Sequence, residues 1–438
     1  MKLSPFPEPL PSDAEECSTS FHPRWTHYSL TPPSESPDRT EVFPPVQGAP
    51  ASVAVIGVGY VGQHLVATFS KAFAVIGYDV SQERIDQVRK QLLHNDQAHF
   101  TTSAAEISQA TYFLIAVPTL LRPDKSIDSS SLRDAVAIVS THARPGSTVV
   151  IESSVAVGMT RALLGPLAAS KGFYAGMSPE RVDPGRSEPA AHAIPKIVAG
   201  LDDVAPGSLE TIKELYSSVF DELVPVSSPE VAEMTKLYEN CQRMLCIAYA
   251  NEMADACVQH GIDAYEVCHA AATKPFGYMS FVPGLGVGGH CIPVNPYYLL
   301  SNSNFPLLRA ASDKMAARPR DVARRIVARF SAREAVPRRP RVLVVGMGFK
   351  PGQCHLANSP GLELARSLVV TAEVQVMWVD PLVPQDAIPQ IPRLEVQEWS
   401  VPLLDSRFDL VVVAFRQHGL DWSLLNRLQV AQVEMWCP

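Results

Sequence analysis

The chain has 438 residues, 46% of them hydrophobic and 19% charged, enough to build two or three separate cores. Its formal net charge of −8 argues against a nucleic-acid surface, and no apolar run approaches the roughly 18 residues that cross a bilayer. The eight cysteines form no CxxC pair or other metal-ligand spacing, which speaks against a structural metal and fits a reducing, cytoplasmic setting.

Residues 1–48 are rich in Pro, Ser, Thr and acids and contain no h-region of a secretory signal, so they read as a disordered leader. The first predicted strand, Ser52 to Gly57, runs into Gly57-Val58-Gly59-Tyr60-Val61-Gly62. A helical stretch follows, and then a second strand, Ala74 to Asp79, closes on an acid 20 residues beyond Gly59. Strand, glycine turn, helix and acid-tipped strand in that order predict dinucleotide binding. Gly57 permits the tight turn, Gly59 lets a pyrophosphate approach the helix N-terminus at Tyr60 and Val61, and Gly62 lets the helix pack on the sheet. Asp79 would accept from ribose hydroxyls and repel a 2′-phosphate, which favours NAD over NADP. Arg84 is the one nearby charge that softens this preference, unless it is an ordinary solvated helix residue.

Further predicted strands, Tyr112 to Val117 and Thr148 to Ile151, end at Pro118-Thr119 and at Glu152-Ser153-Ser154. Ligands lie beyond the carboxyl ends of strands in open α/β sheets, so Val117, Thr119, Ser153 and Ser154 are expected at a cofactor crevice. The segment Ser178-Pro179-Glu180-Arg181-Val182-Asp183-Pro184-Gly185 sets a carboxylate beside a guanidinium in a Pro- and Gly-bounded loop. From Ser228, a cap followed by Pro229, early acids and a long periodic run predict a helix ending near His260-Gly261. Lys236 and Asn240 share one of its faces.

The segment Gly286-Val287-Gly288-Gly289-His290-Cys291-Ile292-Pro293-Val294-Asn295-Pro296 places a cysteine on a glycine-rich loop. Glycines allow a substrate to come close, and a thiol held there can attack it, so Cys291 is the candidate nucleophile. Cys241, Cys246, Cys257 and Cys268 fall in or near helical apolar sequence and read as packing residues. Past a basic stretch at Arg333 to Arg341, a fresh strand, Val342 to Val345, enters Gly346-Met347-Gly348-Phe349-Lys350, with later strands at Val374 to Val379 and Asp409 to Ala414. This second turn has no third glycine at the GxGxxG spacing, so a different nucleotide is expected there.

Taken together, GVGYVG with Asp79, Val117-Pro118-Thr119, SPERVDPG, the Lys236 and Asn240 helix, the cysteine loop and VGMGFK ahead of Ser359-Pro360 resemble the UDP-glucose/GDP-mannose dehydrogenase family. The motifs run collinearly from about residue 51 nearly to the C-terminus. SPERVDPG, Ile194-Pro195-Lys196 and GGHCIPV look more like the branch that oxidises UDP-N-acetylhexosamines than the branch that oxidises UDP-glucose. The resemblance implies an α/β fold with two Rossmann-like domains of parallel sheet joined by a central long-helix dimerisation domain. Its expected parts are an NAD domain at 49–222, a central helical domain with the cysteine loop at 223–330, and a UDP-sugar domain at 331–438. The implied partners are a UDP-sugar and further copies of the chain, as a homodimer or larger assembly, and the implied reaction is oxidation of the sugar C6 alcohol to a carboxylate with NAD.

On this chain the resemblance makes Cys291 the residue that captures the aldehyde as a thiohemiacetal and then a thioester. Lys236 and Asn240 hold the oxyanion, and Glu180 positions water, directly or through Thr119. Arg181, Gly288 and Lys350 are implied in substrate binding. Two departures stand out. Asn295 replaces an aspartate of the family, and an amide is no base at neutral pH, so thioester hydrolysis should suffer most. Ala357 stands where an arginine contacts ligand across a subunit boundary. Ser154 replaces a threonine and keeps the hydroxyl. These losses leave open a nucleotide-sugar-binding homologue without turnover, an enzyme that stops at the aldehyde, and a UDP-glucose 6-dehydrogenase.

Overall fold

The computed structural model describes residues 51–92, 95–182, 188–332 and 338–437. The expected leader, residues 183–185 of SPERVDPG and residues 333–337 of the basic stretch lie outside them. In chain order the strands are β1 (Ser52–Ile56), β2 (Ala74–Tyr78), β3 (Ala98–Thr101), β4 (Tyr112–Ile115), β5 (Leu120–Leu121), β6 (Ile127–Asp128), β7 (Thr148–Ile151), β8 (Tyr174–Met177), β9 (Lys196–Gly200) and β10 (Leu223–Pro225). A second set follows: β11 (Arg341–Val345), β12 (Gln375–Val379), β13 (Leu410–Val413) and β14 (Gln432–Met435). The helices are α1 (Tyr60–Phe69), α2 (Gln82–Gln91), α3 (Ser130–His142), α4 (Met159–Lys171), α5 (Ser208–Ser217), α6 (Pro229–Gln259), α7 (Ala264–Ala272), α8 (Asn295–Leu300), α9 (Pro306–Ser331), α10 (Pro360–Thr371) and α11 (Val401–Arg407).

The first sheet has eight strands in the order β10-β9-β8-β7-β4-β1-β2-β3, parallel except where β9 runs antiparallel to β8. Its central strands are apolar on both faces because helices cover both sides. Ala54, Ile56, Phe113 and Ile115 face one core, and Val53, Val55, Leu114 and Val150 face the other. Sequence pattern finds the four central strands but misses β3 and β8 to β10. Gly176 interrupts β8, and a Cβ there would lie 2.1 Å from the Ala199 carbonyl oxygen, so the close β8–β9 approach itself requires the residue that hides the strand. Pro225 marks β10 as an edge strand.

The second sheet, β12-β11-β13-β14, is wholly parallel. Between the sheets, α6 runs for 31 residues, roughly 46 Å at 1.5 Å per residue. Pro229 opens it at the first turn and Gly261, at φ +66°, lies just past its end, as the sequence predicts. Leu237, Cys241 and Met244 of α6, Tyr298 and Leu299 of α8, and Leu308 and Met315 of α9 form a core of their own.

The two glycine turns are built alike. Gly57 has φ +88° and donates to the Tyr78 carbonyl at 2.8 Å, while Gly346 has φ +89° and donates to the Val379 carbonyl at 3.0 Å. A Cβ on Gly62 would fall 1.8 Å from the Gly57 oxygen, and one on Gly361 would fall 2.2 Å from the Gly346 oxygen. Gly361 is therefore the third glycine that the spacing lacks, displaced by the loop of residues 349–358. The acids at the ends of the second strands differ. Asp380 is fully buried and accepts from the backbone of Met347, Gly348 and Leu382, whereas Asp79 stays half-buried. An acid so enclosed leaves no free face for a ribose hydroxyl.

Candidate active site

At the first turn, the Asp79 carboxylate accepts from the backbone N–H groups of Val58 and Ser81, each at 3.0 Å, and remains accessible at the tip of β2. Space above Gly59 is open, since a Cβ there would meet nothing within 4 Å. Open backbone at the N-terminus of α1, with a half-buried carboxylate across the turn, fits a dinucleotide pyrophosphate and ribose. Tyr60 and Val61 begin the helix beside it, with Tyr60 partly exposed. Arg84 is not a solvated helix charge. Its Nε donates to the Val58 carbonyl at 2.7 Å and its Nη2 to Gln63 at 3.0 Å, so it braces the turn.

The strand ends beyond β4 and β7 are tied to each other. Thr119 Oγ1 donates to the Ser154 carbonyl at 2.7 Å, and Ser153 Oγ donates to the Val117 carbonyl at 2.7 Å. The hydroxyl of Ser153 is thereby spent on holding the turn, as a plain strand-end serine would be. Tyr298, fully buried in α8, donates its phenol to the Thr119 carbonyl at 2.6 Å and so joins the cysteine side of the cleft to the strand-end side.

The cysteine loop is fixed from behind. Gly289 has φ +95° and donates to the Ala357 carbonyl at 2.8 Å, and Asn358 Nδ2 donates to the Gly289 carbonyl at 2.9 Å. A Cβ on Gly288 would come 2.7 Å from Phe349, which precedes the half-buried Lys350. The loop thus packs on the inserted segment of the second glycine turn. Cys291 is exposed, and its carbonyl accepts from Asn295 at 2.9 Å as α8 begins.

Opposite it, α6 presents a buried Lys236, 7% exposed. Burial pulls the Lys236 ammonium below its ordinary range, while the nearby Cys291 and Glu180 charges pull it back up. A thiol and a carboxylate from two other segments thus lie within electrostatic range of the Lys236 ammonium. Asn240 and Asn295 are both buried, and the Asn240 amide donates to Asn295 Oδ1. Arg243 donates to Asn240 Oδ1. A guanidinium can only donate, so this contact fixes which end of each amide faces the other.

Glu180 is more constrained than a free general base. Its Oε1 accepts from the backbone of Arg181 at 2.6 Å and Val182 at 2.8 Å, and its Oε2 accepts from Lys196 Nζ at 3.0 Å. Burial pushes its carboxyl up, but Lys196 and those N–H groups together hold it below the usual range. Arg181 turns away to Glu239 at 2.7 Å and to the Pro195 carbonyl at 2.9 Å.

Behind Glu180 lies a group of which the motifs name only Lys196, and not its contacts. Lys196 Nζ also donates to Glu152 Oε2 at 2.7 Å, and the Tyr216 phenol donates to Glu152 Oε1. Glu152 and Tyr216 are at most 1% exposed and Lys196 2%. Burial raises the Glu152 carboxyl to about 7 against the pull of Lys196. The available signal was a lysine opening a fully buried strand and a glutamate closing another, both costly positions unless paired.

Among the described residues no cluster of His, Cys, Asp and Glu suits a metal ion, and no helix is long and apolar enough to cross a membrane.

Residues 51–220 match the model of the UDP-glucose/GDP-mannose dehydrogenase family NAD binding domain, and residues 230–313 match that family's central domain. The chain is 33% identical over 362 residues to the UDP-N-acetyl-D-glucosamine 6-dehydrogenase of Pseudomonas aeruginosa, covering 76% of this chain and 83% of that protein. It is 31% identical over 355 residues to the UDP-N-acetyl-D-mannosamine dehydrogenase of Pyrococcus horikoshii, covering 76% of this chain and 84% of that one. The solved structure of the UDP-D-ManNAc dehydrogenase from Pyrococcus horikoshii superposes with a TM-score of 0.75 at 26% identity, over 88% of this chain and 95% of the other.

Proposed function

This chain belongs to the UDP-glucose/GDP-mannose dehydrogenase family and carries its NAD binding domain, and on that premise we propose that it oxidises the C6 alcohol of a UDP-N-acetylhexosamine to the uronic acid. The substrate class is supported by the names of relatives at 33% and 31% identity together with the SPERVDPG and GGHCIPV segments. We assign residues 49–222 to NAD, 223–330 to the helical centre and 331–438 to the UDP-sugar. The exposed face of α6, with Tyr238 70%, Tyr249 64% and Met253 44% exposed, supports a homodimer formed along that helix. The seven cysteines among the described residues are all free, which supports a reducing, cytoplasmic setting.

NAD, when bound, would accept the hydride that leaves C6 in each of two oxidations. Gly57, Gly59, Gly62 and Asp79 are the residues that would hold it. The Cys291 sulfur adds to the aldehyde carbon, forming a C–S bond while the carbonyl oxygen becomes a hydroxyl. Loss of hydride from that carbon and of a proton from that oxygen leaves a thioester, and water then displaces the sulfur to release the acid. Lys236 and Asn240 stabilise negative charge on the reacting oxygen, with the buried ammonium as the stronger donor. Glu180 orients the incoming water. The observation that carries the reading is Lys236, buried on α6 within electrostatic range of Cys291 and Glu180.

Asn295 favours one alternative. Buried and hydrogen-bonded to Asn240, it offers no carboxylate for the water step, and the second reading is an enzyme that hydrolyses its own thioester slowly. Incubating the protein with NAD and UDP-N-acetylglucosamine, UDP-N-acetylmannosamine or UDP-glucose, and counting NADH per sugar, tests both readings. Two per sugar over many turnovers mark a complete enzyme, two per active site in a burst that then stops mark a stalled thioester, one per sugar marks an aldehyde producer, and none with all three sugars overturns the proposal.

A further inference from the structure

We propose that Lys196 is a positioning residue for Glu180, supported from within the sheet by Glu152 and Tyr216. The inference rests on the reading of Glu180 as the group that orients water.

The geometry is that of a bracket. Lys196, the first residue of β9, reaches Glu152 at the end of β7 and Glu180 beyond β8, at 2.7 and 3.0 Å. Both Glu180 oxygens are engaged, one by Lys196 and one by the N–H groups of Arg181 and Val182. Rotation of that carboxylate breaks at least one of these bonds, so its remaining lone pairs are held in one direction. The charged and titratable groups around it are Lys196 of β9, Glu152 of β7, Tyr216 of α5 and Lys236 of α6, with Arg181 adjacent in sequence. The rings of Tyr216 and Phe220 flank the Lys196 ammonium at 5.8 and 5.4 Å.

A lysine this deep costs far more than a packed apolar side chain unless its charge is matched. Stabilising the sheet does not require it, since a methionine of similar length would fill the space. The cluster instead holds two carboxylates against one ammonium. Glu152, the more enclosed acid, is the one that takes up a proton, which leaves Lys196 to keep Glu180 ionised.

The test uses the full-length protein and the variants Lys196→Met, Lys196→Arg, Glu152→Gln and Glu180→Gln. For each, kcat, KM, the pH–rate profile from about pH 5 to 9 and thermal unfolding over the same range are measured. Lys196→Met should lower kcat roughly tenfold to a hundredfold with little change in KM. It should also move the acidic limb of the profile up by about 1 to 3 units, the size of a lost opposite charge at this range. Lys196→Arg keeps the charge and should restore the limb. Glu152→Gln should leave the acidic limb in place and erase an inflection near neutral pH in both turnover and unfolding, an outcome available even where Lys196→Met does not fold. Profiles of Lys196→Met and Glu152→Gln that superpose on wild type, with Glu180→Gln impaired, overturn the role of Lys196 alone. Wild-type turnover in Glu180→Gln overturns the reading of Glu180 itself.

Discussion

Gly361 stands against Gly346 as closely as a backbone can, since any Cβ at 361 would lie 2.2 Å from the Gly346 carbonyl oxygen. Gly62 repeats the relationship with Gly57 in the first sheet. In both, a helix enters the sheet along a glycine because no larger residue lets the two backbones meet.

Gly361→Ala should therefore destabilise the protein by about 3 kcal/mol or more, the upper range of overpacking, read as a lower urea midpoint. Gly59→Ala should behave oppositely. Its space is open and its φ of −63° suits any residue, so unfolding should be unchanged while NAD binding by calorimetry weakens. Equal unfolding midpoints for the two variants would count against this reading of the turns.

Tyr298→Phe removes the phenol that reaches the Thr119 carbonyl at 2.6 Å. Leaving that acceptor unpaired should cost about 1 to 3 kcal/mol in chemical denaturation. Because the bond joins the two walls of the cleft, KM for NAD should rise as well.

Cys291→Ser should abolish acid formation while NAD binding, read by calorimetry, stays as in wild type. Intact-mass measurement of wild type during turnover should find a sugar adduct on Cys291 if hydrolysis is slow. Normal acid production by the serine variant would remove the sulfur from the mechanism.

Asn295→Asp supplies the carboxylate that the amide lacks and should accelerate acid release several-fold, the lower range of general-base assistance (about 10²) reduced by the hydrogen bond already made to Asn240. An unchanged release rate in a single-turnover experiment would place the limiting step elsewhere.

The pH dependence of folding should report Glu152. Its folded pKa of about 7 lies above the ordinary carboxylate value near 4.3, so the folded chain binds the proton more tightly than the unfolded chain. That contribution is complete below about pH 4.3 and is lost as pH rises through about 7. Glu152→Gln should flatten this slope, gaining on wild type in melting temperature between pH 5 and 8. Parallel melting curves would show that Glu152 is ionised throughout.

Where the chemistry requires a fixed run of residues, the sequence announces it: GVGYVG, the Pro229 helix and the glycine loop around Cys291 all occupy their expected elements. What it concealed arises from contacts between distant segments. Gly361 escaped because 12 residues lie between it and Gly348, where the first turn has only two between Gly59 and Gly62. β8 escaped because the residue that permits its pairing, Gly176, is a poor strand former. Lys196 lies on β9, Glu152 just past β7 and Tyr216 on α5, and only the antiparallel turn of β9 onto β8 brings the lysine to its acids. Arg84 showed its charge in the sequence but not its fold back onto Val58.

The two bonds that suspend Gly289 from Ala357 and Asn358 have a mechanical consequence. They fasten the nucleophile's loop to the insert that precedes α10, while α8, the helix that follows the sulfur, is moored to the coenzyme side through Tyr298 and Thr119. The sulfur is therefore strung between two anchors, so a slackening of either one would shift it.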